Sequence, residues 1–275
     1  MPGEPMTTTE PASFDRGIGR RAFGLDPKGY DAGRPDYPSR VFDILIERCG
    51  LGRDTCAFEV GPGTGKATHE LLARGAHPVI AIEPNAELAA YLRARFGGAI
   101  EVQQSPFESA QLADAEFDLG IAATSFHWVE PAVGWPKIMR ALKPGGWWAM
   151  WWNHYGDPDS PDAFYQALRP LYAELPRRVY GERPLPPLDE MMRMRSNDLR
   201  NAGLTDVGSE VIRWPLTLST ERMQALYASF SELAIVDEDA RKKFLAGLGR
   251  IVDEQFGGRV ERTWVTSIHF GQRPR

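Results

Sequence analysis

Cysteine is nearly missing from this chain of 275 residues, with Cys49 and Cys56 as the two examples. They are too few and wrongly spaced for a zinc site, and both sit among apolar neighbours, so no metal centre and a reduced, cytoplasmic setting are expected. Long apolar runs are missing as well. No stretch approaches the ~18 residues that a membrane span requires, and the first dozen residues, rich in proline and threonine, lack the apolar core of a signal peptide. Residues 1–27 are expected to form a loose tail. Positive charge is also in deficit: the formal charge is -5 and the pI near 5.6. That balance argues against a nucleic-acid backbone as the main partner. The densest basic stretch, residues 193–200, is interrupted by Asp198 and reads as a solvated helix face.

What is present is enough for a large core: 43% of the residues are hydrophobic and 11% aromatic, in a length that allows one large or two small domains. Apolar patterning alternates between strand and helix. Strands are expected at residues 56–60, 79–83, 100–104, 117–122 and 147–152, with helices at 65–74, 86–96 and 132–142 between them. An amphipathic helix carrying Val41, Phe42, Ile44, Leu45 and Ile46, capped by Ser39, precedes the first strand. Such alternation predicts a doubly wound, mostly parallel sheet with ligands bound beyond the strands' carboxyl ends. Between residues 153 and 201 prolines punctuate short helical pieces, which predicts a helical cap inserted after the fifth strand. A sixth strand (205–218), two helices (220–230 and 237–256) and a last strand (259–270) follow. The expected organisation is a tail at 1–27, a cofactor-binding core at 28–153, a cap at 154–202 and a completing segment at 203–275.

Residues 58–68 carry most of the chemistry. The run Phe-Glu-Val-Gly-Pro-Gly-Thr-Gly-Lys-Ala-Thr places a glycine-rich turn between an apolar strand and a helix. Gly61 and Gly63 can adopt positive φ and allow a ligand close to the backbone. A P-loop needs four residues before its Gly-Lys-[Ser/Thr] triplet, but only three separate Gly61 from Gly65, and Ala67 stands at the hydroxyl position. The dinucleotide fingerprint wants glycine where Lys66 stands. What remains is G-x-G-x-G preceded by Glu59, with Glu83 ending the second strand about where a carboxylate meets ribose hydroxyls in doubly wound folds. A carboxylate suits a cis-diol and repels a phosphate, so an unphosphorylated ribose is expected.

Five blocks in this order resemble the class I S-adenosylmethionine-dependent methyltransferases, in the small-molecule branch of trans-aconitate methyltransferase-like proteins with a type 11 methyltransferase domain. They are YDAGRPDYP at residues 30–38, the glycine turn, AIEPN at 81–85, SFHWV at 125–129 and LKPGGWW at 142–148. The resemblance implies a Rossmann-like fold of seven strands whose last two pair antiparallel, S-adenosylmethionine as cofactor, and a small-molecule acceptor with an oxygen nucleophile. A monomer or homodimer is expected, with neither nucleic acid nor membrane as partner. Glu59, Gly61, Gly63, Thr64 and Gly65 would frame the methionine and ribose, with Glu83 on the diol and Pro84 beside the adenine. Ser105 and Phe107 would make adenine-side contacts, and Thr124 and Ser125 would lie beside the methionine. Tyr30, Arg34 and Tyr37 would fold over the cofactor; the same block could equally be a linker bounded by prolines. His127 could take a proton from an acceptor hydroxyl or stiffen its loop, and His154 is the competing base. Trp151 or Trp152 could wall the acceptor pocket, although Trp147, Trp148, Trp151 and Trp152 also read as strand core. Two alternatives stand: a P-loop-like nucleotide hydrolase, and a protein of this fold that binds the cofactor without transferring its methyl group.

Overall fold

A computed structural model describes residues 27–175, 186–230, 233 and 236–275. All of the expected tail except its final residue lies outside them, as do Pro176 and Pro184 of the expected cap. Seven strands form one sheet: β1 (Ala57–Val60), β2 (Val79–Ile82), β3 (Glu101–Gln103), β4 (Phe117–Ala123), β5 (Leu142–His154), β6 (Thr205–Ser219) and β7 (Arg259–Gln272). Their order is β3-β2-β1-β4-β5-β7-β6. The pairs among β1 to β5 are all parallel, and β7 runs antiparallel to both β5 and β6. The sheet is therefore Rossmann-like, with a reversed strand one place in from its edge.

Helices cover both faces. On one lie α2 (Ser39–Cys49), α3 (Lys66–Ala73) and α4 (Ala86–Phe96), whose Phe42, Leu45, Leu71 and Leu92 pack against Ala57, Leu119, Ile121 and Trp151. On the other, α5 (Pro131–Ala141) and α7 (Leu188–Asn201) bring Ile138 and Leu199 against Phe58, Phe117, Trp148 and Met150. Alternation along β5 explains the tryptophans: Trp148 and Trp151 fall in opposite cores, both fully buried. The basic stretch expected as a solvated face sits on α7, where Arg193 and Arg200 are exposed while Ser196 and Leu199 are buried against the sheet.

A third core holds α6 (Ala163–Ala173), α8 (Thr220–Ala228) and α9 (Glu238–Phe256) over the far ends of β6 and β7, through Phe164, Tyr227, Phe244, Leu248 and Trp264. The short α1 (Pro27–Gly33) packs on α8, where the Cβ of any residue replacing Gly33 would stand 2.5 Å from the Ala225 carbonyl oxygen.

Two local expectations are corrected. Ser39 does not cap α2; it is the helix's first residue, Pro38 holds the N-cap position, and no side chain caps that end. The run Val260, Arg262, Trp264, Thr266 and Ile268 predicts an alternating strand; that holds from Val260 to Trp264, where Glu261 and Thr263 are exposed, but every residue from Trp264 to Gly271 is buried, because β7 lies inside the sheet with helices on both sides. Among the described residues no helix is long and apolar enough to cross a membrane.

Candidate active site

The carboxyl ends of β1, β2, β4 and β5 open into a cleft enclosing about 1070 Å³, part of it continuous with solvent. Its floor is the glycine turn. Gly61 and Gly63 have φ of 64° and 61°. A Cβ on Gly61 would lie 2.7 Å from the Ser125 Cβ, whereas one on Gly63 would meet nothing within 4 Å. Gly61 thus lets two loops touch, and Gly63 leaves bare backbone facing the cleft. Gly65 was expected beside the cofactor but faces α4 instead, where an added Cβ would strike Phe96.

Two acids line this half. Glu59 projects from β1 on the α3 side and is fully buried; its Oε2 accepts a 2.6 Å bond from the Thr68 hydroxyl. Its Oε1 has no hydrogen-bond partner among the described residues. Burial, with the Glu83 charge nearby, pushes the Glu59 carboxyl up to about 7. Glu83 accepts from the Gly63 amide at 3.1 Å and the Asn85 amide at 2.9 Å, so it ties the glycine turn to the end of β2. Thr64 and Pro84 complete the lining here.

Lys66, the residue that suggested a phosphate grip, pairs with Asp36 at 2.8 Å and Asp31 at 3.5 Å. Arg95 joins them, bonding Asp31 at 3.2 Å and the Thr64 carbonyl at 2.9 Å. Burial pushes the Asp31 carboxyl up, but the Thr64 hydroxyl and the Lys66 and Arg95 charges outweigh it and hold it below its ordinary value. Lys66 therefore fastens the segment after α1 to the glycine turn, and with Ala67 at the hydroxyl position the nucleotide-hydrolase alternative is not favoured.

The opposite wall comes from residues 30–37, the end of β4 and the end of β5. Tyr30, Arg34 and Tyr37 all line it. The Arg34 guanidinium lies 5.2, 5.1 and 4.9 Å from the ring centres of Tyr30, Tyr155 and Phe230. Its Nε and Nη2 donate to the Ser229 hydroxyl (2.7 Å) and carbonyl (3.0 Å) at the end of α8. Tyr37 donates to the Thr124 hydroxyl at 3.2 Å. Thr124 is a β-branched residue at φ 57°, a strained conformation that the loop imposes beside the cleft. The Ser125 hydroxyl donates to the Val60 carbonyl, joining β4's exit loop to β1.

Phe107 lines the cleft and stacks on Phe58 at 6.2 Å, whereas Ser105 lies outside the lining with its hydroxyl buried and unpartnered. Sequence reasoning missed what holds this loop. Lys137 of α5 is buried, and its ammonium donates to the carbonyls of Phe107 (2.8 Å), Glu108 (2.9 Å) and Ala110 (2.7 Å). Asn153, near the end of β5, and Tyr155, just past it, line the cleft and were also missed.

The two candidate bases sit apart. His127 and His154 are both outside the cleft lining. His127 accepts at Nδ1 from the Trp152 indole at 3.1 Å, and burial, helped by Arg195, pushes it down to about 4. His154 lies 3.1 Å from the Ser267 hydroxyl and is also lowered by burial. Trp151 meets Tyr37 and Phe42 edge-on at 5.6 and 6.0 Å. Neither Trp151 nor Trp152 walls the cleft, and the core reading of them stands.

This strand order, with a glycine turn and two acids at the carboxyl ends of β1 and β2, defines a class I methyltransferase fold. Residues 58–150 match the methyltransferase domain family. An uncharacterized methyltransferase of Mycobacterium tuberculosis is 33% identical over 132 residues, covering 48% of this chain and 52% of that one. The chain spans about half the length of the curated relatives it matches. Among solved structures, a candidate type II methyltransferase from Anaeromyxobacter dehalogenans superposes with a TM-score of 0.61 at 19% identity, covering 88% of this chain and 99% of that one. The Haemonchus contortus phosphoethanolamine N-methyltransferase 2, in complex with phosphomonomethylethanolamine and S-adenosylhomocysteine, gives 0.58 at 14% identity, covering 96% and 61%. At those identities the likeness is one of fold, and none of these matches singles out the trans-aconitate branch.

Proposed function

We propose that the chain catalyses S-adenosylmethionine-dependent methyl transfer to a small-molecule acceptor, with an oxygen nucleophile, carboxylate or hydroxyl, favoured over nitrogen or carbon. The observation that carries the reading is Glu59: a buried carboxylate with one unpartnered oxygen in a cleft whose other acid, Glu83, is held at the turn. A ligand that brings a cation to the first acid and a diol to the second satisfies both, and an adenosyl amino acid has both groups. The family match over residues 58–150 and the S-adenosylhomocysteine bound by the Haemonchus enzyme support the same ligand.

On this reading Glu59 takes the amino-acid ammonium and Glu83 the ribose hydroxyls, while Pro84 and Phe107 flank the adenine. Gly61, Gly63 and Thr64 frame the chain between them. Thr124 and Ser125 border the methionine, and Tyr30, Arg34 and Tyr37 close over it. When bound, the cofactor supplies a methyl group already activated on a sulfonium. What this chain adds is desolvation and in-line positioning by the N-terminal block and the Thr124–Ser125 loop. The low basicity of His127, and the position of both histidines outside the lining, support transfer to an oxygen that is already ionised rather than base catalysis by His127 or His154. Acceptor selection falls to the N-terminal block and to the segment that leaves β5. Two buried cysteines and no disulfide suit a cytoplasmic setting.

Calorimetry with S-adenosylmethionine and S-adenosylhomocysteine, followed by a radiolabelled methyl-transfer screen against carboxylates and phenols, tests this. Micromolar binding of both compounds and transfer to an oxygen acid are expected. Binding of NAD or ATP in preference to either compound overturns the reading.

A further inference from the structure

The acceptor half of the cleft contains a side chain whose orientation is fixed from two strands away. The Trp214 indole Nε1, which can only donate, bonds the Thr266 hydroxyl at 2.9 Å. Thr266 is fully buried and has a single proton of its own, which it gives to the Asn153 Oδ1 at 2.7 Å. The Thr266 hydroxyl thus accepts from the indole on one lone pair and gives its own hydrogen to the Asn153 Oδ1, so the amide presents its oxygen to the threonine. The Asn153 NH2 group is thereby turned away from Thr266. Asn153 lines the cleft, and its nitrogen has no partner among the described residues.

The relay is also held mechanically. Asn153 and Thr266 are direct neighbours across the β5–β7 ladder, and Trp214 faces Trp264 across β6–β7. Trp264 packs against Trp214 at 5.5 Å and edge-on against Tyr155 at 4.9 Å. On the same wall, Arg34 carries a second donor group: Nε and Nη2 are occupied by Ser229, and Nη1 has no hydrogen-bond partner among the described residues. Unlike Lys66, Arg34 has no carboxylate within ion-pair distance among the described residues. This wall therefore offers donors, while the acids Glu59 and Glu83 stand on the cofactor side.

We infer that Asn153 is a specificity-determining residue, its amide aimed by the Trp214–Thr266 relay to donate to an oxygen of the methyl acceptor, with Arg34 as the second donor on the same wall. Thr266 and Trp214 act as positioning residues. The pair of donors selects an oxygen acid over an amine of the same skeleton, since an ammonium would face donors and leave them unpaired. This inference rests on the methyl-transfer reading above.

The test uses the full chain, radiolabelled S-adenosylmethionine, and a panel of aromatic and aliphatic carboxylic acids, each paired with the amine of the same skeleton. Turnover of acids over their paired amines is expected. Asn153→Asp should raise the acceptor KM about tenfold or more, with S-adenosylmethionine affinity within about twofold of the parent. Trp214→Phe and Thr266→Val should raise the same KM about threefold, and Thr266→Ser, which keeps the hydroxyl, should restore it. A merely structural role would lower thermal stability in these variants without moving KM. An unchanged KM in Asn153→Asp, a preference for the amines, or no turnover of any panel member by protein that binds the cofactor each overturns the inference. Absence of S-adenosylmethionine binding in the parent protein instead removes the reading beneath it.

Discussion

On the side of the cleft made by β1 and β2, the ligand-facing groups are the glycine-turn backbone and two buried carboxylates. On the side made by residues 30–37, β5 and β7, they are a guanidinium, an amide and aromatic rings held by partners far away in the chain. Main-chain shape thus builds the first half, and side-chain networks build the second. A main-chain site tolerates almost no change at its glycines, because a Cβ alters the allowed dihedrals themselves. A side-chain network can be retuned one hydrogen bond at a time, which fits the demands of acceptor choice.

The sharpest way to break this contrast is Gly61→Ala. Positive φ and the approach to Ser125 together should cost about 2 kcal/mol of stability and about 100-fold in S-adenosylmethionine affinity, measured by denaturant unfolding and calorimetry. A loss under tenfold would mean that the turn is not the rigid half.

Next in size is Glu59→Gln, with an expected loss of about 30-fold in affinity for S-adenosylmethionine. The parent protein should show a matching pH dependence. Glu59 is raised from an ordinary 4.5 to about 7, so the ligand-free protein gains stability from its neutral form at low pH and loses it as pH rises through about 7. A bound cation reverses that preference, and affinity should fall as pH drops below about 7. The Gln variant should lack this slope, and a slope that persists would assign it to another group.

Lys137→Met probes the loop between the halves. Losing the ammonium strands two buried carbonyls and one half-buried one, and a destabilisation of about 2 kcal/mol with a roughly tenfold weaker adenosyl affinity is expected. Stability unchanged in urea unfolding would show that water replaces the lysine. The smallest effect belongs to Lys66→Ala, about threefold in affinity and weaker still at high salt, because its partner Asp36 is largely exposed. A hundredfold loss there would revive a phosphate-type role for the lysine.

The first half was legible in the sequence because its requirements are local. Three glycines within five positions demand unusual dihedrals, and Glu83 ends a strand whose apolar run shows where it stops. The second half was not. Lys137 looks like any lysine on an amphipathic helix until the fold brings three carbonyls to it, and Thr266 reaches Asn153 across 113 positions of sequence. The prolines suggested that residues up to 202 form a cap, yet Leu199 of α7 belongs to the core beneath the sheet. Buried positions on a helix rich in arginine and methionine dilute the apolar signal that would have shown it. His127 and His154 drew notice as imidazoles near strand ends, but sequence does not show which face of a loop points inward.

The interior place of β7 has a consequence for biosynthesis. As the chain leaves the ribosome, β5 and β6 are both complete before β7 exists, and the strand order leaves neither able to bond the other directly. Until Arg259 to Gln272 is made, β5 lacks its neighbour on that side and β6 lacks the strand it pairs with; the same residues that complete the sheet bring Thr266 to Asn153. The wall that carries Asn153 is therefore complete only when the last strand is present, while the glycine turn and its two acids belong to strands made long before.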